Sequence, residues 1–170
     1  MSLITDGGRA TLVRADHAEI LEVGGSTIRL LADSEGTDGA ISANRTVLRP
    51  GADGPPPHYH AGSAEIFFVL DGALQALAGD RVLTLDAGDF LVVPRTMPHA
   101  FAAPPGTPAD VLIVFAPGAS DRFGYFRLGQ RVLRGQASPQ EILDSQERFD
   151  NHFMASPVWQ AAREREAARP

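Results

Sequence analysis

Between about position 10 and 116 the apolar residues fall in short runs broken by turn-forming residues, with little trace of the roughly 3.6-residue period of a helix. Candidate strands are AEILEV (18–23), STIRLLA (26–32), AISANRTVLR (40–49), AEIFFVLDG (64–72), ALQALA (73–78), RVLTLD (81–86), DFLVVP (89–94), HAFAA (99–103) and DVLIVFA (110–116). Gly24-Gly25 and Gly79-Asp80 predict tight hairpins, and the runs 51–57, 87–88 and 104–108 punctuate the rest. Many short strands at this spacing make an all-β sandwich or barrel, because no helices of crossover length lie between them to build a parallel sheet.

After Ala116 the pattern changes. SPQEILDSQERF (138–149) carries Ser138 at an N-cap, Pro139 at the first helical position and Glu141 three residues past the cap, the capping-box arrangement. Ile142, Leu143, Gln146, Phe149 and Phe153 fall near one face, so this helix should pack on something already folded. SPVWQAAREREAA (156–168) repeats the Ser-Pro start, and 119–134 is ambiguous between helix and loop. The reading is a β-domain over 1–118 followed by a helical C-terminal extension over 119–170, with no internal repeat.

The 170 residues contain no cysteine, which excludes disulfides, thiolate metal sites and cysteine nucleophiles, so a bound metal must be held by nitrogen and oxygen. All 15 basic residues are arginines; without lysine there is no Schiff-base chemistry. A net charge of −6 with scattered arginines argues against nucleic acid as a partner. No run approaches the roughly 20 apolar residues that span a bilayer, and MSLITDGGRA lacks an apolar signal core, so no membrane partner and a cytoplasmic location are expected.

Within HYHAGSAE (58–65), His58 and His60 stand at i and i+2 and would face the same side of a strand, while Tyr59 points away. The small-residue turn AGSA allows the chain to return Glu65 to that side, in which case Glu65, Phe67 and Val69 face inward. Taken alone, the same residues read better as loop histidines and an edge charge. The chain has five histidines, at 17, 58, 60, 99 and 152, and one more of them lies in GDFLVVPRTMPHAF (88–101).

With that second segment the chain resembles the cupin superfamily, whose two motifs read G-x5-HxH-x3,4-E-x6-G and G-x5-P-x-G-x2-H-x3-N. His58, His60, Glu65 and Gly72 match the first, with Ala52 in place of its leading glycine. Gly88, Pro94 and His99 match the second, with Thr96 in place of its inner glycine and Ala103 in place of its asparagine. The resemblance covers 51–103 by motif and about 40–116 by strand pattern.

It implies a double-stranded β-helix, or jelly-roll barrel, with His58, His60, Glu65 and His99 as ligands of one divalent transition metal ion near a barrel mouth. Iron, manganese, nickel, cobalt, copper and zinc all suit such a donor set. Pocket-lining candidates are Phe67, Val69, Phe90, Val92, Met97 and Phe101, most of which read equally well as barrel core. Arg45 could anchor an anionic substrate if it faces inward, whereas His17 is a surface histidine. Phe149, Phe153 and Trp159 could close a mouth, and Asn151 or His152 could meet a ligand; plain packing of the extension is the favoured alternative.

Three functions follow from the resemblance. The first is a quercetin 2,3-dioxygenase-like enzyme acting on an aromatic or polyphenolic small molecule with dioxygen, Glu65 serving as both ligand and base. The second is a non-oxidative metal-assisted isomerase, cyclase, lyase or decarboxylase, and the third a cupin that binds a small molecule without catalysis. Edge strands and an apolar extension are compatible with a homodimer.

Overall fold

The computed structural model describes residues 10–118 and 121–168. Ten strands form one curled antiparallel sheet: β1 (Ile20–Val23), β2 (Ser26–Ala32), β3 (Ser42–Leu48), β4 (His58–Tyr59), β5 (Ala64–Ala78), β6 (Arg81–Asp86), β7 (Phe90–Val93), β8 (His99–Ala102), β9 (Ala109–Ala116) and β10 (His152–Phe153). They run β1-β2-β3-β9-β5-β8-β4-β10, with β6 and β7 also paired to β5. This is the all-β jelly-roll architecture expected, and the glycine hairpins stand where the sequence places them, bracketed by Val23↔Ser26 and Ala78↔Arg81.

The two runs read as separate strands at 64–72 and 73–78 are one 15-residue strand. Its first half pairs with β7 and β9, its second with β6 and β8, and Gly72 joins them at φ +73° beside a register shift between Val69 and Asp71. A bulge with a left-handed glycine bends the strand without ending it, so β5 passes from one wall of the barrel to the other. Between the walls lies a core of Leu48, Phe67, Val69, Leu74, Leu85, Val93, Val111, Ile113 and Phe115. Each such side chain contributes about 1.5–3 kcal/mol by leaving water.

Four helices follow the barrel: α1 (Arg122–Leu133), α2 (Pro139–Asp144), α3 (Gln146–Phe149) and α4 (Pro157–Ala167). The ambiguous 119–134 segment thus holds α1, whose Phe123 and Phe126 pack on Leu21, Ile28 and Leu30. Ser138 and Glu141 make the expected capping box, but the single helix foreseen over 138–149 breaks at Ser145. There the Ser145 hydroxyl donates to the Ile142 carbonyl and competes with the backbone ladder. Trp159 of α4 packs outside the barrel on Leu77, Ala100 and Ala102, away from any mouth. None of the described helices is long and apolar enough to cross a membrane.

Candidate metal centre

The four residues predicted as ligands converge. His58, His60, Glu65 and His99 are all buried, and their ligand atoms lie within 4.8 Å of one another. Strand pairing accounts for this. His58 on β4 stands directly across from His99 on β8, which puts both imidazoles on one face with ring centroids 4.3 Å apart. Glu65 opens β5 opposite Val93 and Phe115, and its Oε2 lies 3.0 Å from His60 Nε2, 2.6 Å from His99 Nε2 and 4.0 Å from His58 Nε2.

The outer ring nitrogens settle what these imidazoles can do. His58 Nδ1 donates to the Pro56 carbonyl at 2.8 Å, His99 Nδ1 to the Met97 carbonyl at 2.9 Å, and His60 Nδ1 to the Asp150 carbonyl. A carbonyl can only accept, so each Nδ1 carries the hydrogen, and an Nε2 that has lost its proton turns a lone pair inward. That is how metal-ligating histidines are oriented, and the donor set fits a divalent transition metal.

Burial, with the charges of His99 and His60, pushes His58 well below the usual histidine range, so it is neutral and ready to ligate. Burial alone would raise Glu65, but His99 and His60 outweigh it and hold the carboxyl well below its usual range. Burial likewise pulls His99 down, yet its pairing with Glu65 wins and raises it. His99 therefore keeps a proton to higher pH than a free imidazole, and a metal ion must displace it. We expect ion binding to release about one proton below the raised His99 pKa and progressively less above it, with affinity climbing as pH rises. Calorimetry in buffers of differing ionisation enthalpy measures this, and proton-neutral binding across pH 6–8 (roughly the histidine range) would contradict it.

The extension completes the site. Asp150, at the end of α3, receives His60 Nδ1 on its carbonyl and the Ala61 and Gly62 N–H groups on its carboxylate at 2.7 and 2.8 Å. It thereby clamps the AGSA turn that separates two ligands. The pairing of β10 with β4 places Phe153 opposite His58 and His152 opposite Tyr59. Phe153 consequently faces the centre, whereas His152 stacks on the outward Tyr59 ring at 4.9 Å.

A cavity of about 600 Å³ opens beside the quartet, walled by Phe101, Phe115, Tyr125, Phe126, Ile142 and Phe153, with Asn44, Asn151 and Arg122 as polar lining. The sequence reading of the pocket needs correction here. Of the candidates, Phe101 lines this cavity; Phe67 and Val69 are fully packed core, and Met97 packs against that core. Phe90 and Val92 point outward, 64% and 50% exposed. Glu65 and Phe67 pair with Val93 and Leu91, so it is the odd positions of β7 that face inward. Arg45 also faces out, donating to Asp110, and His17 is exposed. Phe149 is buried against Tyr125 rather than closing a mouth.

Sequence reasoning missed Arg122 and Tyr125. Arg122 is 1% exposed, with its guanidinium 4.2 Å from the centre of the Phe115 ring. Burial lowers its pKa, opposed by Glu65, Tyr125 and Asp150. Burial pushes the Tyr125 hydroxyl up to about 12, and Asn151 Nδ2 donates to it at 3.3 Å. The available signal was helical spacing: Arg122, Tyr125, Phe126 and Gly129 stand at i, i+3, i+4 and i+7 and all line the cavity.

Comparison with known proteins agrees with this geometry. The family described as the cupin domain matches residues 44–115, which hold all four ligands. The match spans less than half of the chain. No curated protein matches the chain in sequence. Solved structures of similar fold include an RmlC-like cupin from Shewanella frigidimarina (22% identity, 68% of this chain and 96% of that one, TM-score 0.58). KdgF from Halomonas sp. is also similar (23%, 66% and 98%, TM-score 0.57), as is the polyketide cyclase RemF from Streptomyces resistomycificus (21%, 64% and 80%, TM-score 0.53). The matched residues 44–115 supply three imidazoles and a carboxylate, and the extension supplies Asp150, Asn151, Phe153 and the Arg122 helix.

Proposed function

We propose that this protein is a metal-dependent enzyme that ionises a hydroxylated aromatic small molecule and passes it to dioxygen, in the manner of a quercetin 2,3-dioxygenase. The observation carrying this reading is the opening of a buried cluster of three histidines and one glutamate into a largely apolar cavity that carries the rings of Phe101, Phe115, Tyr125, Phe126 and Phe153. Flat aromatic walls favour a flat apolar guest through area burial and ring contacts.

When bound, a divalent ion would supply Lewis acidity and, if redox-active, a route for electrons to dioxygen. The remaining work falls to the chain. Phe101, Phe115 and Phe153 hold the ring and keep water from it. Glu65 is the carboxylate placed to accept the hydroxyl proton; because His60 and His99 hold its pKa low it is a weak base, and the transfer depends on positive charge that lowers the hydroxyl's own pKa. Arg122 places a fixed positive charge where the resulting oxyanion develops.

One observation favours a second reading, non-oxidative metal-assisted chemistry such as cyclisation or elimination. A buried cation beside the ligand cluster stabilises an enolate whether or not dioxygen follows, and the similar RemF is a polyketide cyclase. Oxygen uptake and flavonol loss, followed with iron-, nickel-, cobalt- and zinc-loaded protein, separate the two. We expect oxygen uptake to match flavonol loss with a redox-active ion and to cease with zinc. Equal turnover of flavonol by the zinc protein without air would eliminate the dioxygenase.

A further inference from the structure

Arg122 sits at the first position of α1, buried among Phe115, Tyr125 and His60, and its hydrogen bonding is nearly empty. Nε has no partner. Nη1 reaches Asn151 Oδ1 at 3.5 Å, the outer limit of a hydrogen bond. Nη2 lies 3.4 Å from His60 Nδ1, but that nitrogen already donates to the Asp150 carbonyl, so two donors face each other. A guanidinium carries five N–H donors, and leaving them unmet in a dry site is costly.

No side chain of the site stands ready to neutralise it. The Asp150 carboxylate is engaged with Ala61, Gly62 and His152, and Glu65 is turned to the histidines. A divalent ion brings two positive charges and Arg122 a third, against the negative charges of Glu65 and Asp150. The loaded pocket therefore keeps one positive charge in surplus. A second unmet group lines the same cavity: Asn44 Nδ2 donates to Thr46 Oγ1 at 2.8 Å, while Asn44 Oδ1 is buried without a donor.

We propose that Arg122 is the receptor for an anionic oxygen of the substrate, so that the cavity selects acidic hydroxylated ring compounds, a carboxylate or ionised hydroxyl on Arg122 and a neutral hydroxyl on Asn44 Oδ1. This rests on the reading of the cavity as a ring-binding site beside the metal. It adds the charge of the guest and the residue that reads it. The helix carrying Arg122 lies outside the residues 44–115 that match the cupin family, so this specificity is supplied by the extension.

The test is calorimetric titration of the zinc-loaded protein with 2,4-dihydroxybenzoate and with its uncharged amide, 2,4-dihydroxybenzamide, in wild type, Arg122→Gln and Arg122→Lys. Metal content and melting temperature of each variant are recorded alongside. The wild type should bind the acid about 10- to 100-fold more tightly than the amide, the range expected of a charge-assisted hydrogen bond. Arg122→Gln should erase that ratio by weakening the acid far more than the amide, and Arg122→Lys should keep part of it. Equal binding of acid and amide by the wild type overturns the proposal without any variant. Retention of the full ratio in Arg122→Gln also overturns it, by assigning the anion to the metal, and leaves the ring-binding reading intact. Failure of both compounds to bind overturns both readings. Should Arg122→Gln not fold, a reduced ratio in Arg122→Lys supports the assignment and an unchanged ratio refutes it.

Discussion

Alanine at His58 or His99 is expected to strip the protein of its divalent ion. The two imidazoles face each other across β4 and β8, and each is aimed by a backbone carbonyl at its outer nitrogen. Removing even such an outer partner typically costs about 10- to 100-fold in metal affinity, and removing the ligand itself should cost more. Elemental analysis of proteins purified from the same metal-replete medium should show the variants at less than about a tenth of the wild-type content. Tyr59→Phe is the internal control, since Tyr59 lies between the two histidines in sequence but faces His152 on the outside. Equal, negligible metal in wild type and His99→Ala would remove the site assignment itself.

The second large effect is expected at Gly72, where alanine should unsettle the barrel rather than the site. A Cβ there would lie 2.0 Å from the Pro108 carbonyl oxygen, in backbone that must give way, and φ is +73°. The left-handed conformation alone costs an L-residue about 1–2 kcal/mol, and the clash should bring the loss to about 3 kcal/mol or more. For a chain of this size that is a fall in melting temperature of roughly 6–12 °C. Gly79→Ala isolates the backbone contribution, because Gly79 has φ +65° with nothing within 4 Å of its would-be Cβ. Thermal melts in which the two variants lose the same stability would show that the contact with Pro108 does not constrain the bend.

That bend explains why β5 looks like two strands in sequence. A glycine after Asp71 carries the statistical mark of a turn, and nothing local says that the chain continues onto the opposite wall. The inward face of β7 is hidden for a related reason. DFLVVP is apolar at adjacent positions, so its alternation is silent, and the pairing of Phe67 with Leu91 turns Phe90 outward. Phe68, Phe90 and Val92 then lie on the outer face, with Ile66 beside them.

The candidate ligand set was legible because strand spacing puts two histidines on one face and the resemblance to the two cupin motifs adds Glu65 and His99. His58 and His60 share a face at i and i+2, and Glu65 and His99 arrive through a turn and a motif of fixed length. Thr96 shows how far the motif can drift: it occupies the inner-glycine position at φ +63°, and its N–H donates to the His60 carbonyl at 2.8 Å, so the turn survives the substitution.

By itself, then, the sequence marked most of the barrel strands, the two hairpins, the capping box at Ser138 and, through two linked motifs, the four residues of the candidate metal site. The tertiary structure alone decided what surrounds them. Whether Phe153 or His152 looks at the centre depends on the register of β10 against β4, made across about 90 residues. Whether an arginine is a solvated charge or a buried one depends on the barrel wall it meets, and among the 15 arginines no local pattern marks Arg122 as the one against Phe115. Burial and charge are properties of the assembled cavity, and the chemistry that distinguishes this site is written in them.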